Sequence, residues 1–418
     1  MTNNEKLTIC YNAWMIFSEN DDYDSLVGEI AERGFNCIRI DDGAGLLWDK
    51  DGNVREDVLI SSPFGKYTDF TTYHVIVKNK RLNILDRFLR ICRAAKKYNV
   101  KIVPSSWFYL HTNWFCEEND IKHLFDLSAE EKITYFAEEL SKILDVLRRE
   151  NMIDIVAFAE IFNEFNGISF YGNKRELTSD EITELRLIHE REIDKLKKRH
   201  PDVLFAFDCW NPTPQEEWIP RNIDVYNFHL YYAWDLYNSF EKGICFGVTT
   251  LDEPDIPDET RYFLKDEIIT VKEVVEEMGG NIRTGIDWPR RISLWASVDW
   301  NKHEELNDLL EKGFAERVNN YKNHLYKRID DMLMLHDKVV PNSRIVMGEG
   351  TTYCASHILS FERDSKLFWE MLKEQMIYLK KKGLWGTVLT TTHAPGRSAA
   401  WECKDLYVEA NKLFLDKE

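Results

Sequence analysis

Two carboxylates stand where hydrophobic, β-prone runs break off into polar residues. Glu164 closes the run Ile153-Asp-Ile-Val-Ala-Phe-Ala-Glu-Ile-Phe-Asn-Glu164, and Glu349 closes Arg344-Ile-Val-Met-Gly-Glu349. Glutamate is among the side chains least often buried, so an acid ending an apolar strand needs a reason. Two acids facing each other across a cleft, one protonated and one ionised, are the usual equipment of glycoside hydrolysis. Acids this far apart in sequence meet only if the fold gathers strand ends. Glu160 lies on the same strand face as Glu164. It is the alternative acid, or else a buried barrel carboxylate with a structural partner.

The elements that would position these acids alternate along the chain. Strand-like runs fall at residues 7–14, 35–40, 100–107, 153–162, 203–209, 223–230, 344–348 and 386–392. Amphipathic helical stretches fall at 23–33, 82–98, 128–150, 179–199, 365–382 and 405–415. Gly34 supplies a C-terminal stop for the first helix. Ser128 with Glu131 forms a capping box at the start of another. A long polar loop covers residues 41–80. Eight strands separated mostly by helices predict an α/β fold, a closed (β/α)₈ TIM barrel, with an open doubly wound sheet as the alternative. Tyr11-Asn-Ala-Trp14 stands where a nucleotide-binding sheet would carry a glycine-rich loop, which weighs against that alternative. Residues 231–342 are too long for a simple connection. They read as a helical and irregular insertion between strands six and seven, forming a lid or cleft wall on a single domain spanning 1–418.

Bulk composition narrows the partners. The 418 residues carry a formal charge of −18, which excludes a basic nucleic-acid-binding surface. No uncharged stretch approaches the ~18 residues that would span a bilayer, and no leader segment is visible at Met1. Eight scattered cysteines without CxxC spacing read as free thiols in a reducing compartment. These readings give the expectation of a cytoplasmic protein. The sequence carries no signal for oligomeric state.

In such a barrel, functional groups collect at the C-terminal strand ends. The predicted ends carry Arg39 with Asp41 and Asp42, Trp107 followed by His111 and Trp114, Asn163-Glu164, Asp208-Cys-Trp210, His229-x-Tyr231, Glu349, and Thr391-Thr392-His393. The arrangement resembles the cellulase-like (β/α)₈ glycoside hydrolases that place one glutamate after strand four and another after strand seven. The resemblance implies that Asn163-Glu164 carries the acid/base and Glu349 the nucleophile. It further implies that Arg39 orients the nucleophile and that the His229-x-Tyr231 pair places its tyrosine beside it. The sequence departs at strand eight, where that family often has a tryptophan platform. Here Thr391-Thr392-His393 stands instead, with Trp401 or a residue of the long insertion as a substitute.

The chemistry expected is a retaining cleavage of β-glycosidic bonds, with the carboxylates about 5–5.5 Å apart. Arg39 would hold Glu349 ionised, while Phe162, Phe165 and the field of Glu349 would keep a proton on Glu164. Asn163 would bind a sugar hydroxyl. Trp107, His111, His229, His393 and Trp401 complete the expected cleft around a carbohydrate substrate. No cofactor is required, and no HxH or HExxH spacing supports a metal among His111, His229 and His393. A catalytically silent carbohydrate-binding protein and a metal-dependent barrel enzyme remain the alternatives.

Overall fold

The computed structural model describes residues 5–49, 51–62, 64–108, 116, 118–168, 170–171, 176–210, 216–231, 261–279, 287–350 and 356–416. Eight parallel strands alternate with helices: β1 (Leu7–Tyr11), β2 (Cys37–Asp41), β3 (Lys101–Ser105), β4 (Ala159–Glu160), β5 (Phe205–Cys209), β6 (Val225–Leu230), β7 (Arg344–Gly350) and β8 (Gly386–Val388). The hydrogen-bonded order is β3-β2-β1-β8-β7-β6-β5-β4. Val156 bridges back to Ile102 in parallel, and the Asn163 amide donates to the Ser106 carbonyl at 2.9 Å. The sheet therefore closes on itself as a (β/α)₈ barrel.

Strand four is much shorter than the apolar run that announces it. Residues 153–155 form a 3₁₀ turn, and only Ala159 and Glu160 enter the ladder. This is the closing seam, and few backbone bonds cross it. Elsewhere the signals act as their chemistry requires. Ser128 and Glu131 cap the helix Ala129–Arg149 reciprocally, as Thr178 and Glu181 do for Ser179–Arg199. Gly34 follows the first helix, Tyr23–Glu32, at a φ of +80°. The 41–80 loop is not wholly irregular: Val58–Ile60 and Lys80–Leu82 pair antiparallel.

The long segment after β6 needs a sharper boundary. Its described part includes helices Val271–Glu277, Asp287–Ser297 and the 37-residue His303–Val339. The last buries a stripe running Leu306, Leu310, Phe314, Val318, Tyr321, Leu325, Ile329, Met332. Its C-terminal half is the ordinary barrel helix between β6 and β7. Tyr326 stacks on Tyr378 of the following barrel helix, Lys366–Lys381, and Met332 meets the Tyr226 hydroxyl on β6. The earlier part instead meets the loop after β2, where Glu277 accepts from the Lys66 amide at 3.1 Å. Six described cysteines are free thiols, four of them buried. Among the described residues no helix is long and apolar enough to cross a membrane.

Strand alternation sends Arg39, Glu160, Asp208, Asn227 and His229 inward. It turns Tyr226, Phe207 and Cys10 toward the helix layer. One irregularity matters for the site. Phe228 pairs with Met347 but His229 pairs with Glu349, so Gly348 is an extra residue in β7. This bulge brings Glu349 level with His229. Any Cβ at Gly348 would overlap the Asn227 carboxamide. Gly348→Ala should therefore cost about 1–3 kcal/mol, read as a lower denaturant midpoint in equilibrium unfolding.

Candidate active site

The inward layer is organised around one cation. Arg39 is wholly buried. Its Nε and Nη2 donate to Glu160 Oε2 at 3.1 and 2.7 Å, and its Nη1 donates to Glu349 Oε1 at 2.6 Å. Nη2 also reaches Asn163 Oδ1 at 2.8 Å and the Asp208 carboxylate. The flat face of the guanidinium lies 4.6 Å from the Trp107 ring centroid. Strands β4, β5 and β7 are thus tied to β2 through a single side chain. Asn227 Nδ2 donates to the remaining Glu160 oxygen at 2.6 Å. With both oxygens engaged and no exposure, Glu160 is the structural carboxylate of the pair on its strand.

His229 forms a second node. Its Nδ1 is 2.9 Å from Glu164 Oε1 and 3.7 Å from Glu349 Oε2. Its Nε2 is 2.9 Å from Asp208 Oδ1, an ion-pair contact rather than an aligned hydrogen bond. Tyr231 donates to Glu349 Oε2. One oxygen of Glu164, one of Glu349 and a ring nitrogen of His229 lie within 4.8 Å of one another. Glu164 sits in the left-handed region at φ 48°, ψ 55°. That conformation is costly for a side chain with a Cβ and is found at constrained functional positions.

Electrostatics follow from this count of charges. Four carboxylates (Glu160, Glu164, Asp208, Glu349) surround two cations, Arg39 and His229. Burial works against a charged His229, but Asp208 and Glu349 override it and lift its pKa to about 10. Burial pushes Glu349 up to about 7 despite His229 and Arg39, with Glu164 and Asp208 adding to the rise. Burial likewise raises Glu160 against Arg39. Asp208 goes the other way: burial would raise it, yet His229 and Arg39 hold it below the usual range. Arg39 lowers the Glu349 pKa, in the direction expected, but does not offset burial. One guanidinium is shared among three carboxylates, and burial wins at Glu349.

Several sequence-based placements also change. Trp107 is fully buried beneath Arg39 and against Tyr11 and Trp14, so it is a wall for the cation and not an open sugar platform. His393 points into the helix layer, 3.2 Å from Glu362 and ringed by Phe368, Trp369 and Tyr407. Trp401 stacks on Phe35 beneath Arg33 and donates to Glu29, away from the carboxylates. Phe162 and Phe165 pack outward, Phe162 on Phe136 and Phe165 on His189, and do not wall Glu164. His111 and Trp114 lie outside the described residues. Arg39, Asn163, Glu164, His229, Tyr231 and Glu349 are brought together. Asn227 is a site residue that was not singled out, although it shares the inward face of His229 two residues on.

The Glu164–His229–Glu349 spacing, with donor atoms within 4.8 Å of one another, would also suit a metal ion, which would have to displace the proton that the neighbouring acids hold on His229.

No protein-family model and no curated protein matches the sequence. Solved structures do match in fold. One is a Parabacteroides distasonis protein whose name assigns it provisionally to the glycoside hydrolases: 15% identity, TM-score 0.65, covering 99% of this chain and 94% of the other. Another is ZgEngAGH5_4, solved in complex with a cellotriose: 9% identity, TM-score 0.52, covering 99% and 97%. A third is the endo-β-1,4-mannanase from Thermotoga petrophila: 12% identity, TM-score 0.50, covering 99% and 77%. The chain shares its fold with (β/α)₈ glycoside hydrolases. At these identities the likeness carries the barrel alone, and chemistry must be argued from the site.

The two-node network fixes the sign of one pH effect. The His229 pKa is about 10 in the folded protein against an ordinary 6.5, so its contribution to stability is complete below pH 6.5 and is lost as pH rises through about 10. The melting temperature should fall between pH 7 and pH 10, by about 2 °C or more. His229→Gln should flatten that decline in a thermal melt series.

Proposed function

We propose that the protein is a retaining glycoside hydrolase acting on β-glycosidic bonds of short oligosaccharides or glycosides. Glu349 is the nucleophile and Glu164 the acid/base. The observation that carries this reading is the approach of the two carboxylates, with oxygens within 4.8 Å at the C-terminal mouth of the barrel. So close an approach supports a double displacement, whose carboxyl groups sit nearer together than those of an inverting site.

Glu349 attacks the anomeric carbon while Glu164 protonates the leaving oxygen. A glycosyl-enzyme ester forms and the glycosidic C–O bond breaks. Glu164, now ionised, then takes a proton from water, whose oxygen displaces Glu349 and restores both groups. Arg39 and Tyr231 hold the two Glu349 oxygens in place, so only the lone-pair geometry toward the sugar remains to be set by the substrate. His229 steadies Glu164 as its charge changes. Asn163, its carbonyl oriented by Arg39, is placed to meet the hydroxyl beside the reacting carbon. Trp210 ends β5, 44% exposed, on a backbone held by Asn166 just beyond Glu164. It offers an exposed aromatic face on which a sugar ring would stack.

Glu349→Ala should lower kcat by about 10⁴ or more, with the fold intact by circular dichroism. Added azide should restore turnover and give the glycosyl azide of inverted configuration. Wild-type product should retain its configuration by NMR, and an inverted product would exclude the double displacement. Because the nucleophile must be ionised and its pKa lies at about 7, kcat/KM should fall as pH drops below about 7. A profile flat from pH 5 to 7 would contradict the assigned protonation state.

A further inference from the structure

A second buried arginine near the cleft is not accounted for by the catalytic network. Arg397, on the loop after β8, is only 3% exposed. Its Nε and Nη1 have no hydrogen-bond partner, and among the described residues no carboxylate pairs with it. Burying a guanidinium without an anion is costly, and Arg cannot discharge itself by losing its proton. Its one described aromatic contact is the Tyr11 ring, 5.7 Å from the guanidinium carbon. Tyr11 is in register with Arg39 on the neighbouring strand. Its phenol is pushed well up, first by burial and then by the charge of Glu349. Tyr11 therefore connects Arg397 to the Glu349 end of the cleft, and Thr391, earlier on the same loop, is bonded to Gly350 beside Glu349.

The other described neighbours bring no negative charge: burial lowers the pKa of His74 and that of His357, the latter to about 4. His74, from the loop after β2, feels the Arg397 charge and stacks on His357, from the loop after β7, at 3.7 Å between centroids. Asp69, the nearby acid, is already paired with Lys78. Three loops thus bring together a guanidinium with no carboxylate partner among the described residues and two imidazoles, in a chain whose net charge is −18.

We propose that Arg397 recognises an anionic substituent (carboxylate, sulfate or phosphate) on the sugar held next to Glu349, so that the substrates are acidic glycosides. The ligand would supply the anion that the fold withholds. Charge-assisted hydrogen bonds to a buried guanidinium are strong and selective because the neutral analogue leaves the donors unpaired. As a statement about substrate class this rests on the glycosidase reading. As a statement about binding it does not.

The test is calorimetric titration of the purified protein with D-glucuronate, glucose 6-sulfate, glucose 6-phosphate and neutral D-glucose at one ionic strength. At least one charged sugar should bind about tenfold or more tighter than glucose, the worth of one charge-assisted hydrogen bond. Which one wins separates a planar carboxylate from a tetrahedral anion. Arg397→Gln should abolish the preference and Arg397→Lys should keep part of it. The proposal is overturned if the wild type shows no preference, whether through equal binding or through no binding of charged sugars, or if the preference survives in Arg397→Gln. The wild-type comparison stands even if a variant fails to fold. Binding is read without turnover, so a protein that hydrolyses nothing still passes or fails here. Hydrolysis of neutral glycosides with no charged preference would sink this proposal and leave the glycosidase reading intact.

Discussion

A single buried guanidinium holds the interior of this barrel in register. Arg39 leaves β2 and spends its donors on β4, β5 and β7, with Trp107 against its flat face. A lysine could not replace it, because one ammonium cannot reach Glu160, Asn163, Asp208 and Glu349 in one plane. The arrangement is also mutually dependent. Without Arg39, three carboxylates would be left buried around one imidazolium, and without the carboxylates the guanidinium would be a buried unpaired cation. Rotamers of the whole layer are therefore fixed together, which is the preorganisation that a reacting carboxylate needs.

Burial and charge together decide where protons sit in that layer. Burial raises Glu349 and Glu160 against the nearby cations, while the acids around His229 overcome its burial and hold its proton. His229 keeps its proton because Asp208 lies on one side and Glu164 and Glu349 on the other. The charged imidazole then stands beside both Glu164 and Glu349. Asp208 acts here as the anchor of that imidazole.

Much of this was legible in the sequence, and the failures have physical causes. Strand ends four and seven could be located because apolar runs stop there, and Arg39, His229 and Tyr231 followed from the same strand-end logic. The inward Glu160 was visible through period two alone. Trp107 was misplaced because sequence does not show that Arg39 covers it, and His393 and Trp401 because sequence gives an aromatic residue near a strand end but not its direction. One residue of register turns a side chain from cleft to helix layer. The Gly348 bulge was invisible for the same reason, since an extra residue in a ladder leaves no mark except a glycine. The long helix His303–Val339 falls within the segment read as an insertion, yet its second half belongs to the barrel. Only packing against Tyr226 and Tyr378 reveals that.

The gap between fold likeness and sequence likeness has a related explanation. Most of the chain builds a hydrophobic shell in which residues of similar size can exchange with modest cost, so identity with other barrels of this shape falls to 9–15%. The groups that cannot exchange are few, and they are held by strand position rather than by a contiguous motif. Arg39, Glu160, Asn163, Asp208, Asn227, His229 and Glu349 come from five strands or strand ends, with long stretches of ordinary shell between them. A comparison that scores neighbours in sequence sees little there. A comparison of backbones sees the barrel, and only the side-chain distances within it bring the two carboxylates face to face.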